Sequence, residues 1–392
     1  MLGHAPTDSA QYEHFRARRH FGSLDGLRCL SILAVIWHHT RPAALNDVAI
    51  LQHGHLGVDL FFVVSGFLIT TLLLRERDAS GDISLKRFYI RRTLRIFPLY
   101  FTVLLAYVGL VLMFDRHSPA GRAFFANLPY FATYTSNWFL TYNNERIIFY
   151  FVWSLAAEEQ FYLFWPTVEK RLGPRRAVIF VIALLLVVSV AAAGAFDRLL
   201  PPPTLAYRIV TRFPVAIGLG VLLAHVLHDP RSFRWAGLLL GRRVSAPVIL
   251  VVLGVALLPV APSEWLIHVA MAALVGAVVI REDNLLAPVL GWRPIAHIGV
   301  VSYGMYLLHM LCCNFARRVL EHFGVSQPLA PFFATTVVAV AAASVSFRYY
   351  ESFFLRLKDR YGARLEPTAG KSGAEGRPRP PDPSPVPLEP IG

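Results

Sequence analysis

The sequence predicts an all-α protein, a polytopic integral membrane helical bundle of about ten transmembrane helices. Three observations carry that expectation. Of 392 residues, 55% are hydrophobic and only 16% charged, whereas soluble domains carry about a quarter charged residues. Mean hydropathy is +0.49. Apolar runs of about 20 residues, the length that crosses a bilayer, recur along the chain and are separated by short basic clusters.

The spans follow in order. The first, 24–43, reads LDGLRCLSILAVIWHHT at its core, and the second, 54–75, contains GVDLFFVVSGFLIT. The third, 94–114, follows the basic stretch KRFYIRRTLR. The segment 123–151 alternates aromatic and polar residues, which suits an external loop, partly interfacial or re-entrant. The fourth span, 155–172, opens on WSLAAEEQ, and the fifth runs over 176–196. The remaining spans are placed at 205–228, 245–260, 264–281, 297–321 and 330–356 on apolar length alone.

Basic residues fix the expected orientation. Arg16, Arg18 and Arg19, the cluster from Arg75 to Arg95, Lys170 to Arg176, Arg231 to Arg243, and Arg281 with Arg293 fall on one side. The other side holds Arg41, Arg116, Arg122, Arg146 and Arg198. The positive-inside rule then places both termini in the cytoplasm. The expected division is a cytoplasmic N-terminal segment over 1–22, a membrane domain over 23–360, and a disordered Pro-rich cytoplasmic tail over 361–392. That tail reads EPTAGKSGAEGRPRPPDPSPVPLEP and lacks the apolar residues needed to offset the entropy of ordering.

The net charge of +13 is distributed as topology signals between spans, so no nucleic-acid partner is expected. Cys29, Cys312 and Cys313 lie in apolar segments and read as small core residues. No apolar region suited to a cleavable signal precedes the first span.

The chemistry is expected from polar side chains inside the spans, which are costly there and face a bundle interior or a wet cavity. Arg28 and His39 are eleven positions apart. At 100° per residue they return to within about 20° of one azimuth, about 16 Å apart along the helix. Ser31, Val35 and Asp25 share that face, while His38 is turned away by about 80°. In the second span, Asp59 and Ser65 are the polar points and Gly66 permits close backbone approach. Arg92 and Arg95, three apart, share one face, and paired guanidinium groups suit phosphate. Their ordinary alternative is anchoring to lipid phosphates.

Ser154 stands four residues before Glu158, a spacing that can cap a helix start. Glu158 and Glu159 would open the fourth span at the depth of His39, where a carboxylate can orient the imidazole. Late in the chain, SYGMYLLHM sets Ser302, Tyr303, Tyr306 and His309 along one helix, where a lone His is ordinarily a core residue. The histidines at 38, 39, 53 and 55, with Asp59, lack the spacing of a metal site, and no metal is expected.

Together these motifs resemble the membrane acyltransferase-3 family. LDGLR followed by His39, then GVDLFFVVSGFLI, RRTLRIFPLY, WSLAAEEQFYLFWP and SYGMYLLH occur in the family's order over about residues 22–356. The family's Arg-(ten residues)-His pattern falls on Arg28 and His39. Its FFxxSG motif falls on Phe61, Phe62, Ser65 and Gly66, its RxxR element on Arg92 and Arg95, and its WSL-E pattern on Trp153, Ser154, Leu155 and Glu158. Where the family often shows Glu-Arg-Pro, this chain has Glu351, Ser352 and Phe353. A stand-alone membrane module, without a further extracytoplasmic domain, is the corresponding expectation.

The resemblance implies O-acyl transfer, usually of acetyl, from cytoplasmic acyl-CoA to a hydroxyl of a cell-surface glycan or related acceptor, a polysaccharide O-acetylation. No bound cofactor is implied; acetyl-CoA would be a co-substrate. It implies catalytic roles for His39, Arg28 and Glu158, and donor-binding roles for Arg92, Arg95, Ser65 and Gly66. Supporting positions are Asp25, Asp59, Trp153, Ser154, Glu159, Tyr162, Tyr303 and His309. The competing class is a membrane transporter or proton pathway using the same Arg, His and Glu residues. The absence of a visible internal repeat speaks against it.

Overall fold

The computed structural model describes residues 8–18, 20–45, 47–140, 147–198, 201–202, 204–259 and 262–357. All regular structure among them is helical: α1 (Asp8–Ala17), α2 (Gly22–Thr40), α3 (Gly57–Ser80), α4 (Leu85–Phe114), α5 (Pro119–Ala132), α6 (Trp153–Ala192), α7 (Leu205–Thr211), α8 (Val215–His228), α9 (Pro230–Leu240), α10 (Ser245–Ala256), α11 (Glu264–Ile280), α12 (Arg293–His322) and α13 (Ala330–Ser346). Turns of three to five residues fill several connections, and a π-helical turn at Phe347–Glu351 extends α13.

Among the described residues, five helical stretches are long and apolar enough to cross a membrane, or seven if the bent pairs α7–α8 and α9–α10 each count as one span. The protein is a helical membrane bundle, and the number ten is not reached on length and hydropathy alone. Three physical reasons account for the difference. α2, the first expected span, carries Asp25, Arg28, His38 and His39 and is not among those stretches. The 17 residues of α11 make a short apolar helix, and α6 counts as a single stretch of 40 residues. A straight helix of that length would be about 60 Å long, twice the hydrocarbon thickness. It is broken at Gly173, which adopts φ 74° and is followed by Pro174, so its halves fall where two separate spans are expected.

α2 lies at the centre, packed on α12 and α3, and α3 packs most extensively on α8. Two glycines set that last contact. A Cβ on Gly66 would run into the Ile217 carbonyl, and one on Gly220 into the Val63 carbonyl. Each glycine therefore admits the other helix's backbone, the arrangement small residues allow where lipid supplies no hydrophobic drive.

Two regions carry helices that the sequence expectation did not name. The segment 1–22 contains a docked helix: Tyr12 and Phe15 of α1 are buried, Tyr12 donates to the His228 carbonyl at 2.6 Å, and Arg16 pairs with Asp78 at 2.6 Å. The segment 123–151 is more ordered than a loop. α5 starts with Ser118 capping Gly121 N at 2.9 Å and Pro119 in its first turn. Its Phe124 and Phe131 are buried with Phe149 and Tyr134 against Tyr100 of α4. Local sequence conceals this because the rings meet partners on the preceding helix and at the far end of the segment, beyond the reach of any local pattern. Residues 141–146 of that segment, and the expected tail at 361–392, lie outside the described residues.

Candidate functional site

A cavity of ≈ 110 Å³ opens between α2, α3, α4, α6 and α12. Its polar lining is Arg28, Ser65, Arg92, Arg95, Ser154, Glu158, Glu159, Tyr162, Ser302, Tyr303 and Tyr306. Apolar walls come from Val58, Phe61, Phe62 and Leu68 of α3, with Ile96 of α4. Residues from five helices, up to 278 positions apart in sequence, thus share one enclosure.

Helical periodicity brings each side chain there. Arg92 and Arg95 lie on one face of α4 and both reach the cavity. Arg92 stacks over the Tyr162 ring at 4.0 Å, a cation–π contact that holds its guanidinium in place. The hydroxyls of Ser65 and Tyr162 both donate to the Glu158 carboxylate. Charge-assisted bonds of this kind are stronger than neutral ones. Tyr303 donates to the Ile96 carbonyl at 2.8 Å, and Tyr306 to the Phe151 carbonyl at 2.8 Å.

Three guanidinium groups therefore face one small space together with the carboxyl groups of Glu158 and Glu159. Among the described residues, neither Arg28 nor Arg95 makes a side-chain hydrogen bond or ion pair within hydrogen-bonding distance. Fixed cations held this way in a low-dielectric site attract anionic groups and stabilise developing negative charge.

His39 sits at the other end of α2. Its ring lies 5.0 Å from that of His309 and 5.1 Å from that of His38. Arg317 clamps its carbonyl at 2.8 Å. The side chain is partly buried, whereas His38 is exposed and faces His55 at 5.6 Å. The separation of the two histidines expected from helical phase is thus present in the structure. His309 is completely buried. It is linked toward the cavity through Tyr306, whose carbonyl its Nδ1 contacts at 2.6 Å.

Several expected arrangements are corrected. Glu158 is placed with Ser65, Tyr162 and Arg28, and the ring neighbours of His39 are histidines. Glu158 stands little more than one turn into α6, on the helix face that also carries Ser154 and Tyr162 into the cavity. Gly66 faces α8 and serves helix packing, while its neighbour Ser65 faces the cavity. Ser154 is inside α6, where Val152 holds the cap position, and its hydroxyl bonds Tyr306 across to α12.

Other expected residues lie beside the cavity without lining it. Trp153 packs on Phe62 at 6.3 Å. Asp25 approaches His20 at 3.2 Å and Asp59 approaches His268 at 3.5 Å. Glu351 accepts from Ser346 at 3.2 Å. Among the described residues no group of three or more His, Cys, Asp or Glu is arranged to hold a metal.

Sequence reasoning missed a second buried ionic cluster. Glu169 of α6, with no exposed surface, pairs with Arg77 of α3 at 2.7 Å and approaches His225 of α8 at 3.2 Å. Nothing in the local sequence signals it, because its members are 92 and 56 positions apart.

A polytopic helical membrane protein with an arginine-lined interior cavity is the class these features define. The chain belongs to the acyltransferase-3 family: residues 21–348 match the family's acyltransferase domain. It is 27% identical over 362 residues to the peptidoglycan O-acetyltransferase OatA of Listeria monocytogenes, covering 86% of this chain and 56% of the relative. It is 29% identical over 324 residues to the putative peptidoglycan O-acetyltransferase YrhL of Bacillus subtilis, covering 76% and 49%. A putative O-acetyltransferase of Staphylococcus aureus is 38% identical over 167 residues, covering 40% and 26%. The chain therefore spans about half the length, or less, of the curated relatives it matches. No solved structure matches it.

Proposed function

We propose that the protein is a membrane O-acetyltransferase that moves an acetyl group from cytoplasmic acyl-CoA to a hydroxyl of a cell-surface glycan, with peptidoglycan the favoured acceptor. The observation that carries this reading is the convergence of Arg28, Arg92 and Arg95 on one interior cavity in a chain of the acyltransferase family. A donor with phosphates needs cations at the entrance and a dry space for its thioester end. Arg92 and Arg95 supply the first, and Arg28 lies along the donor's path toward the end of α2 that carries His39. Ser65, Tyr162 and Glu158 keep the arginines spaced and balanced.

His39 then acts as general base. It accepts the proton of the acceptor hydroxyl as that oxygen bonds the carbonyl carbon, and the carbon–sulfur bond breaks to release the CoA thiolate. The thiolate takes up the proton on release, so an ester and free CoA are the products. The basic clusters support an inner-membrane orientation with both termini in the cytoplasm, the donor side. The relatives' printed names support peptidoglycan as acceptor class.

The test uses the full chain in proteoliposomes with labelled acetyl-CoA and soluble peptidoglycan strands. Label should enter the glycan as an alkali-labile ester. His39→Ala should lower the rate by at least ~100-fold, the scale of a lost general base, while His38→Ala should change it less than about threefold. Transfer that survives His39→Ala removes the base mechanism.

A further inference from the structure

Behind His39 lies a second imidazole that the scheme above leaves without a task. His309 Nδ1 is 2.6 Å from the Tyr306 carbonyl oxygen. A carbonyl only accepts, so Nδ1 carries the hydrogen, and in the neutral ring Nε2 keeps its lone pair. That Nε2 is buried and has no hydrogen-bond partner, an orphan acceptor of the kind that calls for an explanation.

Three rings surround the His309 imidazole, with ring centres 5.0 Å away for His39, 4.9 Å for Phe151 and 5.5 Å for Tyr306. Phenylalanine has no donor, and the Tyr306 hydroxyl is committed to the Phe151 carbonyl and Ser154. His39 is left to supply an N–H. Ring nitrogens lie roughly 1.2 Å from the ring centre, so a centre separation of this size reaches an N–H···N bond of about 3 Å after a small turn of the His39 ring. The other charged or titratable groups facing the pair are His38 on α2 and Arg317 on α12, and the Arg317 guanidinium is bound to the His39 carbonyl.

We propose that His309 is a positioning residue for His39. Its Nε2 accepts the N–H of His39, which fixes the His39 tautomer with the free lone pair turned to the acceptor hydroxyl. When His39 takes the acceptor's proton, the same bond stabilises the imidazolium that forms. The Tyr306 carbonyl holds His309 in the tautomer this needs. The arrangement gives His39 the orienting partner that a base requires, supplied by a neutral imidazole where a carboxylate would be the ordinary choice. It rests on the reading of His39 as the base.

Two variants of the full chain in proteoliposomes test it, with acetyl-CoA and soluble peptidoglycan strands as substrates. His309→Phe preserves ring volume and removes the acceptor; His309→Ala opens space for free imidazole. Both should lower kcat by at least tenfold and leave KM for acetyl-CoA within twofold. Imidazole added to His309→Ala should restore a substantial part of kcat and do nothing for His309→Phe. Wild-type kcat in His309→Phe overturns the proposal, as does a thermally intact His309→Ala that imidazole fails to rescue. If His309→Phe does not fold, the imidazole response of His309→Ala decides alone. His39→Ala separates the two levels. Activity there removes the base reading itself, whereas an inactive His39→Ala beside a fully active His309→Phe removes only the role of His309.

Discussion

Glu158→Gln is the substitution that interrogates the cavity most directly. The side chain keeps its shape, and its remaining oxygen can still accept from Ser65 and Tyr162, the two hydroxyls that bond the carboxylate. What goes is the charge. Hydrogen bonds to a charged group contribute about 1.5–3 kcal/mol against about 0.5–1.5 for neutral ones, so two such bonds lose roughly 2–3 kcal/mol together. The cavity changes from three arginines against two glutamates to three against one. At an effective dielectric of ~20 and a distance of ~10 Å, one unit charge shifts the affinity for an anion by ~1.7 kcal/mol, on the order of tenfold. The variant should therefore unfold several degrees lower, bind acetyl-CoA on the order of tenfold more tightly, and turn over more slowly. Thermal unfolding of detergent-solubilised protein and equilibrium binding of labelled acetyl-CoA measure the first two. The signs are opposed, which makes the test sharp: a less stable protein that binds its donor better. An unchanged midpoint together with unchanged donor affinity refutes the role of Glu158 as counter-charge.

Two further outcomes concern the scaffold. Gly66→Ala should destabilise by about 1–3 kcal/mol through overpacking against the Ile217 carbonyl, despite the better helix propensity of alanine; a stabilised variant would contradict the interlock of α3 and α8. Arg77→Ala should cost about 3–5 kcal/mol, because it strands the fully buried Glu169 carboxylate. Adding Glu169→Gln to Arg77→Ala should recover part of that loss, and a double variant no more stable than Arg77→Ala would refute the pairing.

Much of the site was legible because it obeys helical periodicity within single segments. The eleven-residue interval of Arg28 and His39 and the three-residue interval of Arg92 and Arg95 are properties of one helix each, and 3.6 residues per turn fixes which side chains share a face. The same arithmetic set His38 apart. Glu158 was misplaced for the complementary reason. Its partner depends on how far α6 enters the bundle and on where α3 presents Ser65, and neither distance is a local property. Ser154 shows the point in miniature: its spacing to Glu158 suits a cap, yet the helix begins earlier and its hydroxyl crosses to Tyr306. Gly66 was read for close approach, which it provides, but toward Ile217 and away from the cavity.

The sequence by itself determined the membrane class, the apolar segments and the intrahelical faces, since hydropathy and periodicity are written in neighbouring residues. The tertiary structure alone decided which faces meet. It gathered three arginines from two helices around Glu158, buried Glu169 between Arg77 and His225, and set the orphan nitrogen of His309 beside His39. The physical reason is that inside a bundle polar groups are satisfied across helices, by partners tens to hundreds of residues away, and only packing brings those partners within a few ångströms.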